Sequence, residues 1–223
     1  MSKRAKLAIA AALLLLGVAV LGAGEDVRFT LGGALVDVGY FVQDPIDEPE
    51  DITPSEVLSE VHAHNELAAS LRQHFPRTHH HPLVAMVVCM DSRLDTNELL
   101  GDTRQYYYVL RTAGSLLSER EEEMLELAVA GGVKVILLTT HTDCAAERAA
   151  ADPVQRARYP HLTAGVDRRA AHRAELLARP AIAARIQSGE LIVEEARIDT
   201  HTGRLAVLSS LPRGYEEGHA HPP

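Results

Sequence analysis

Two cysteines and one histidine of this sequence lie in short motifs that favour metal binding. Cys89 opens a Cys-Met-Asp-Ser-Arg stretch, and a His-Thr-Asp-Cys stretch runs from His141 to Cys144. Two thiolates and one imidazole are three protein ligands for zinc, and a zinc site of this kind keeps its fourth position open for water. The chain has only 2 cysteines, so further thiolates cannot close the site. The sequence therefore predicts a catalytic zinc site with Cys89, His141 and Cys144 as ligands.

Asp91 and Arg93 follow the first cysteine at intervals of two residues. In extended backbone, alternate side chains point to the same side, which places both beside Cys89. A carboxylate next to a zinc-bound hydroxide can accept its hydrogen bond and orient its lone pair towards an electrophile. Arg93 can hold Asp91 in place and keep it ionised through a bidentate pair. We predict that both residues are catalytic, the alternative being an ordinary surface salt bridge.

The elements that must position these residues alternate between strand and helix. A continuous apolar run at residues 83–88 and a largely apolar run at 133–139 are typical of strands buried on both faces, and the residues that follow them include Cys89 and His141. A further strand is predicted at residues 106–110, and Ser118 with Glu121 forms a capping box for a helix that ends at Ala130. Parallel strands place their ligands at their carboxyl ends. The pattern predicts an α/β fold with a mostly parallel central sheet flanked by helices.

The remaining segments complete this organisation. Helical patterns occupy residues 54–75, 162–178 and 181–187, and a C-terminal β-hairpin is predicted from residues 191–198 and 204–209. Residues 27–31 alternate like a short strand, and the acidic, proline-containing residues 44–51 are typical of a solvated linker. We therefore divide the chain into a transitional or linker segment at 25–54, a catalytic domain at 55–211 and a disordered tail at 212–223.

The first 24 residues have the composition of a targeting segment. Basic residues at 3–6 precede an uncharged run rich in Leu, Ala and Val at residues 7–23, which ends in small residues. This pattern predicts a signal peptide at residues 1–24, or a membrane anchor through residues 7–23 if it is not cleaved. Either way we expect the rest of the chain to be exported, to the periplasm or another extracytoplasmic space.

Export raises a second possibility for the two cysteines. Free thiols in an oxidising compartment tend to pair, so a Cys89–Cys144 disulfide is the alternative to a metal site. That pairing would leave Asp91, Arg93 and His141 without a role. The formal net charge of −9 argues against a nucleic-acid partner, for which a basic surface is expected.

Several motifs together resemble one enzyme family. They are Cys89-Met90-Asp91-Ser92-Arg93-Leu94, Gly101-Asp102, Arg111-Thr112-Ala113-Gly114 and His141-Thr142-Asp143-Cys144, with weaker similarity at residues 179–182, 188–191 and 199–205. In this combination and spacing the sequence resembles the β-class carbonic anhydrases over about residues 55–211. The resemblance implies one zinc ion per chain and the reversible hydration of carbon dioxide to bicarbonate and a proton by zinc-bound hydroxide. It also implies a homodimer or a higher homo-oligomer.

The sequence leaves two other functions open. The same scaffold can hydrolyse carbonyl sulfide or carbon disulfide, which are similar to carbon dioxide in shape. A non-catalytic domain that binds zinc or bicarbonate is the third possibility, because Thr112 stands where the family usually has Asn and Ala145 where it usually has Gly. Ala145 would be strained if its backbone needed a positive φ. The presence of both Asp91 and Arg93 favours an enzyme.

Overall fold

The structure is a computed structural model that describes residues 22, 24–43, 53–74, 81–101 and 103–211. The chain divides into two compact units, residues 1–77 and 78–223. The predicted targeting segment, the acidic residues 44–51 and the predicted tail at 212–223 lie outside the described residues, except for Gly22 and Gly24. Among the helices of the described ranges, none combines the length and the apolar character needed to span a bilayer.

The first unit contains two described helices, α1 (Glu25–Gln43) and α2 (Pro54–His74). The predicted helix at 54–75 is confirmed, and its start is capped by Thr53, whose backbone N–H donates to Glu56 Oε2 at 2.8 Å. The predicted strand at residues 27–31 is wrong, because these residues lie within α1. Five alternating residues also place their first and last members one helical turn apart, so the pattern does not separate strand from helix.

The second unit is built on a five-stranded sheet with the order β2-β1-β3-β4-β5. Its strands are β1 (Val84–Cys89), β2 (Tyr107–Thr112), β3 (Val135–His141), β4 (Ile192–Ile198) and β5 (Leu205–Leu211). The first four strands run parallel, and β5 pairs antiparallel with β4 as the predicted hairpin. This arrangement confirms the predicted α/β fold with a mostly parallel sheet and a C-terminal β-hairpin.

Short and long helices connect the strands. They are α3 (Thr96–Leu100), α4 (Thr103–Tyr106), α5 (Glu119–Ala130), α6 (Ala145–Ala151), α7 (Pro153–Arg158), α8 (Pro160–Ala178) and α9 (Pro180–Gln187), with a 3-10 turn at Ala113–Ser115. The predicted capping box is present at the start of α5, where the Ser118 backbone N–H donates to Glu121 Oε2 at 2.9 Å. Helices α3, α4, α6 and α7 have 4 to 7 residues each and are not predicted by the sequence patterns.

Strand β1 lies at the centre of the core and explains why its sequence is continuously apolar. Ala85 and Val87 pack in one hydrophobic cluster with residues of α5, α8 and α9. Met86 and Val88 point to the other face and pack in a second cluster that includes Cys89 and Cys144. Because neighbouring side chains of a strand alternate between faces, both faces of β1 need apolar residues. The second cluster therefore packs directly against the two cysteines of the predicted site.

Candidate metal centre

The ends of two neighbouring parallel strands bring the predicted ligands together. Cys89 is the last residue of β1, His141 is the last residue of β3, and these strands are hydrogen-bonded neighbours. Cys144 follows a two-residue turn and immediately precedes α6. The ligand atoms of Cys89, His141 and Cys144 all lie within 4.8 Å of one another. The fold therefore gathers all three predicted ligands into one cluster.

The cluster is buried, and its cysteines are free. Cys89, His141 and Cys144 are 5%, 1% and 3% exposed. Neither cysteine forms a disulfide, so the structure does not contain the Cys89–Cys144 bond that the sequence left open.

The histidine is oriented as a metal ligand. Its Nδ1 lies 2.9 Å from the Thr142 carbonyl oxygen, which is an acceptor only, so Nδ1 carries the proton that is donated. The lone pair is then on Nε2, which is buried and has no hydrogen-bond partner among the described residues. A buried polar atom without a partner costs free energy. Metal-bound histidines almost always donate their other ring N–H to a carboxylate, a backbone carbonyl or water, as His141 does here. The donor set thus fits a metal of the kind that accepts thiolate and imidazole ligands.

Backbone N–H groups face both sulfurs. Gly114 donates its N–H to Cys89 Sγ at 3.3 Å. Burial raises the pKa of the Cys144 thiol, while backbone hydrogen bonds from Glu147 and Ala146 act in the opposite direction. Burial is the larger of these effects, so a bound cation is what would favour the Cys144 thiolate.

The turn between His141 and Cys144 depends on Asp143. Its φ is +59°, a left-handed conformation that Asp adopts more readily than most residues. Arg148 stabilises this turn by donating from Nη1 to the Asp143 carbonyl oxygen at 2.9 Å and to its carboxylate. Ala145 is the first residue of α6 and is not among the residues with positive φ. The substitution of Ala for Gly at position 145 therefore introduces no backbone strain.

Asp91 and Arg93 form the predicted bidentate pair. Arg93 Nε donates to Asp91 Oδ1 at 2.9 Å, and Arg93 Nη2 donates to Oδ2 at 2.8 Å. The Arg93 backbone N–H also donates to Oδ1, at 3.0 Å. These side-chain hydrogen bonds are the main reason why the pKa of Asp91 lies well below its usual range. Arg111 holds the same loop by donating from Nη2 to the carbonyl oxygens of Asp91 and Leu94, both at 2.8 Å.

A cavity of about 660 Å³ opens beside the cluster, and both Cys89 and Asp91 line it. Most of its wall is apolar or small, from Met90, Ala113, Gly114, Ala145, Ala146, Ala149 and Leu162. Its polar wall consists of Arg148, Asp152, Gln155 and Tyr159, which come from α6, α7 and the adjoining residues. These four residues were not predicted as part of the site, because the sequence patterns did not predict α6 and α7. Thr112 is not part of this wall, and its buried hydroxyl has no hydrogen-bond partner among the described residues.

A second group of possible metal ligands lies elsewhere in this unit. Ligand atoms of Glu122, His172 and Glu175 are within 4.8 Å of one another. His172 Nδ1 already contacts Glu122 Oε1 at 2.7 Å and Glu175 Oε2 at 3.1 Å. The same nitrogen therefore serves both carboxylates as a hydrogen-bond donor, and we assign no metal to this group.

Gly114 should be sensitive to substitution because of its close contact with α6. Its φ is +64°, and a Cβ at this position would lie 2.8 Å from Ala146 Cβ. We expect Gly114→Ala to lower the free energy of unfolding by about 2–4 kcal/mol, from backbone strain together with overpacking. Urea unfolding of the purified variant measures this change.

Gly189→Ala is the matched control, because Gly189 has a φ of +73° and open space around it. It should lose only about 1–2 kcal/mol, from backbone strain alone. The double variant Gly114→Ala/Ala146→Gly should recover the overpacking part of the loss. Equal losses in Gly114→Ala and Gly189→Ala would show that the contact with Ala146 does not matter.

The sequence of this chain matches a known protein family. A sequence model of the carbonic anhydrase family matches residues 84–205. Beta-carbonic anhydrase 1 of Mycobacterium tuberculosis is 36% identical over 64 residues, a match that covers 27% of this chain and 38% of that protein. The chain thus aligns with less than half the length of its curated relatives.

Solved structures show the same fold. A tetrameric β-carbonic anhydrase of Sordaria macrospora superposes with a TM-score of 0.53 at 22% identity, over 70% of this chain and 98% of that one. A carbonic anhydrase of Streptococcus mutans gives a TM-score of 0.51 at 23% identity, over 67% and 97% of the two chains. The family model covers more than half of the sequence and includes all three clustered ligands, Cys89, His141 and Cys144. The chain belongs to the β-class carbonic anhydrase family.

Proposed function

We propose that this protein catalyses the reversible hydration of carbon dioxide to bicarbonate and a proton, with zinc held by Cys89, His141 and Cys144. The observation that carries the proposal is the buried cluster of these three ligands beside a cavity that Asp91 also lines. The unpaired Nε2 of His141 supports a metal at this position. Family membership supports the reaction.

Zinc bound by these residues would act as a Lewis acid that lowers the pKa of a water molecule. The protein residues supply the rest of the chemistry. Because His141 donates from Nδ1 to the Thr142 carbonyl, its ring is held in one orientation and Nε2 keeps the lone pair for a metal. The N–H of Gly114 stabilises the Cys89 thiolate.

The hydrogen bonds of Asp91 support a role for this residue in orienting the attacking water. Its Oδ1 accepts two hydrogen bonds from Arg93, whereas Oδ2 accepts one and keeps a free lone pair. We infer that Oδ2 accepts a hydrogen bond from this water and directs the water's lone pair towards the carbon of the substrate. Arg93 keeps Asp91 ionised, because its hydrogen bonds lower the pKa of that carboxyl.

The apolar wall of the cavity suits a small linear substrate without charge. Met90 and Leu162 contribute its largest apolar side chains. Carbonyl sulfide and carbon disulfide have the same linear shape, so hydrolysis of these compounds is the second candidate activity. A non-catalytic domain that binds zinc or bicarbonate was suggested by Thr112 and Ala145. Ala145 no longer favours it, because this residue adopts ordinary helical backbone.

Two further properties belong to this proposal. We propose that the protein is a homodimer or a higher homo-oligomer, as the relative from Sordaria macrospora is described as tetrameric. We also propose that residues 1–24 direct export, either as a signal peptide or as an anchor through residues 7–23. Light scattering of the purified protein tests the first statement, and cell fractionation tests the second.

Stopped-flow measurement of carbon dioxide hydration tests the proposed reaction. We expect purified protein with verified zinc content to accelerate hydration, and we expect the same preparation to lose this acceleration after the zinc is removed with a chelator. Carbonyl sulfide serves as the parallel substrate. A zinc-loaded protein that hydrolyses only carbonyl sulfide would replace the proposed reaction by the second candidate. A zinc-loaded protein with neither activity would favour a binding domain.

A further inference from the structure

Arg169 lies on α8, outside the predicted site, and contacts two segments that surround the metal ligands. Its Nη1 donates to Glu147 Oε1 at 2.7 Å, and its Nη2 donates to the Gly114 carbonyl oxygen at 3.0 Å. The side chains of Arg169 and Glu147 are 32% and 33% exposed. One guanidinium therefore joins α6 to the turn at Ala113–Ser115 from a partly buried position.

The turn is the first of these segments. Gly114 uses its carbonyl oxygen to accept from Arg169 and its N–H to donate to Cys89 Sγ. On its other side the turn meets α6 so closely that a Cβ on Gly114 would lie 2.8 Å from Ala146 Cβ. The carbonyl that accepts from Arg169 and the N–H that faces the Cys89 sulfur thus belong to the same residue, on either side of its Cα.

Helix α6 is the second segment. It starts immediately after Cys144, and Glu147 is its third residue. The Glu147 backbone forms a hydrogen bond with the Cys144 thiol, while its carboxylate pairs with Arg169. Arg169 therefore contacts, through two different nitrogens, one residue whose backbone faces the Cys89 sulfur and one of the two residues whose backbones face the Cys144 sulfur.

We propose that Arg169 is a positioning residue that keeps these two backbone groups against Cys89 and Cys144. Hydrogen bonds to a thiolate ligand spread its negative charge, so they govern both how strongly the ligand binds a metal and how much charge it donates. The inference rests on the proposed zinc site and adds to it the residue that sets the environment of both sulfurs. A surface ion pair of ordinary kind would have no such effect.

The test compares Arg169→Gln with Arg168→Gln in the full chain. Arg168 is the neighbouring residue on α8, and its side chain is 60% exposed and pairs with Glu175 at 3.4 Å. Zinc affinity is measured by competition with a chromogenic chelator. We expect Arg169→Gln to raise the Kd for zinc about 10-fold, the usual size of such indirect effects, and we expect Arg168→Gln to leave it unchanged.

Cobalt substitution provides a readout that general destabilisation would not move. Co(II) bound by thiolates has a sulfur-to-metal charge-transfer band, whose energy depends on the hydrogen bonds that the sulfurs accept. We expect this band to shift in Arg169→Gln and to stay in place in Arg168→Gln. Arg169→Lys keeps the charge but can reach only one of the two partners well, so it should show a smaller shift. If Arg169→Gln does not fold, Arg169→Lys carries the same comparison with Arg168→Gln.

The outcomes separate this inference from the proposed function. An Arg169 variant with the zinc affinity and the cobalt spectrum of Arg168→Gln overturns the inference, and wild-type hydration activity is unaffected by that result. A wild-type protein that binds zinc without hydrating carbon dioxide overturns the proposed reaction. In that case, weaker zinc binding and a shifted cobalt band in Arg169→Gln would still support the positioning role.

Discussion

Cys144→Ser should empty the metal centre and abolish the hydration of carbon dioxide. The change removes one of three ligands from a buried cluster in which Cys144 is only 3% exposed, and a serine hydroxyl is a much poorer zinc ligand than a thiolate. Metal analysis should show a fall from about one zinc ion per chain to nearly none. Activity should fall at least as far as the metal content, because the water is no longer activated.

Ala151→Ser is the matched control for this variant. It introduces the same residue type at an exposed position at the end of the same helix, α6. It should retain both zinc and activity. Full zinc content in purified Cys144→Ser would remove Cys144 from the ligand set and, with it, the assignment of the whole site.

Asp91→Asn should keep zinc and lower carbon dioxide hydration sharply. The asparagine can still occupy the wall of the cavity, but one of its two terminal atoms is a donor and cannot accept from Arg93 or from water. Loss of the oriented acceptor should reduce kcat/KM about 10²–10⁴-fold, the range typical of a positioned acid–base group. Stopped-flow kinetics at matched zinc content measure this loss.

A second bidentate pair of the same chemical type provides the control. Asp167 accepts from Arg156 Nη1 at 2.6 Å and from Nη2 at 3.2 Å, and neither residue lines the cavity. Asp167→Asn should therefore leave hydration unchanged while it breaks an equivalent ion pair. Wild-type rates in Asp91→Asn would show that the carboxylate takes no part in the reaction.

The sheet and the ligand cluster could be predicted because both depend on local patterns. Short apolar runs bounded by turn signals are consistent with strands buried on both faces, and β1 and β3 lie within one or two residues of the predicted positions. Once two strands are parallel neighbours, the residues at their carboxyl ends must lie close together. That single geometric rule brings Cys89 near His141, although the two residues are far apart in sequence.

The elements that were predicted wrongly or not at all are short segments, in which a periodic pattern cannot be recognised. Helices α6 and α7 have 7 and 6 residues, and α6 consists largely of alanine, so neither shows an apolar period. Because these helices were not predicted, Gln155 and Tyr159 could not be placed in the wall of the cavity. The strand expected at 27–31 fails because five residues are too few to distinguish a period of two from a helical turn.

The α/β architecture, the three candidate ligands and the pairing of Asp91 with Arg93 could be read from residue type and short-range spacing. The contacts of Gly114 with Cys89 and with Arg169 came only from the packing of separate elements. Gly114 lies 25 residues from the cysteine that it contacts, and Arg169 lies 55 residues from Gly114. Contacts of this kind exist only after helices have packed on the sheet, because no local period relates residues that meet through the packing of separate elements.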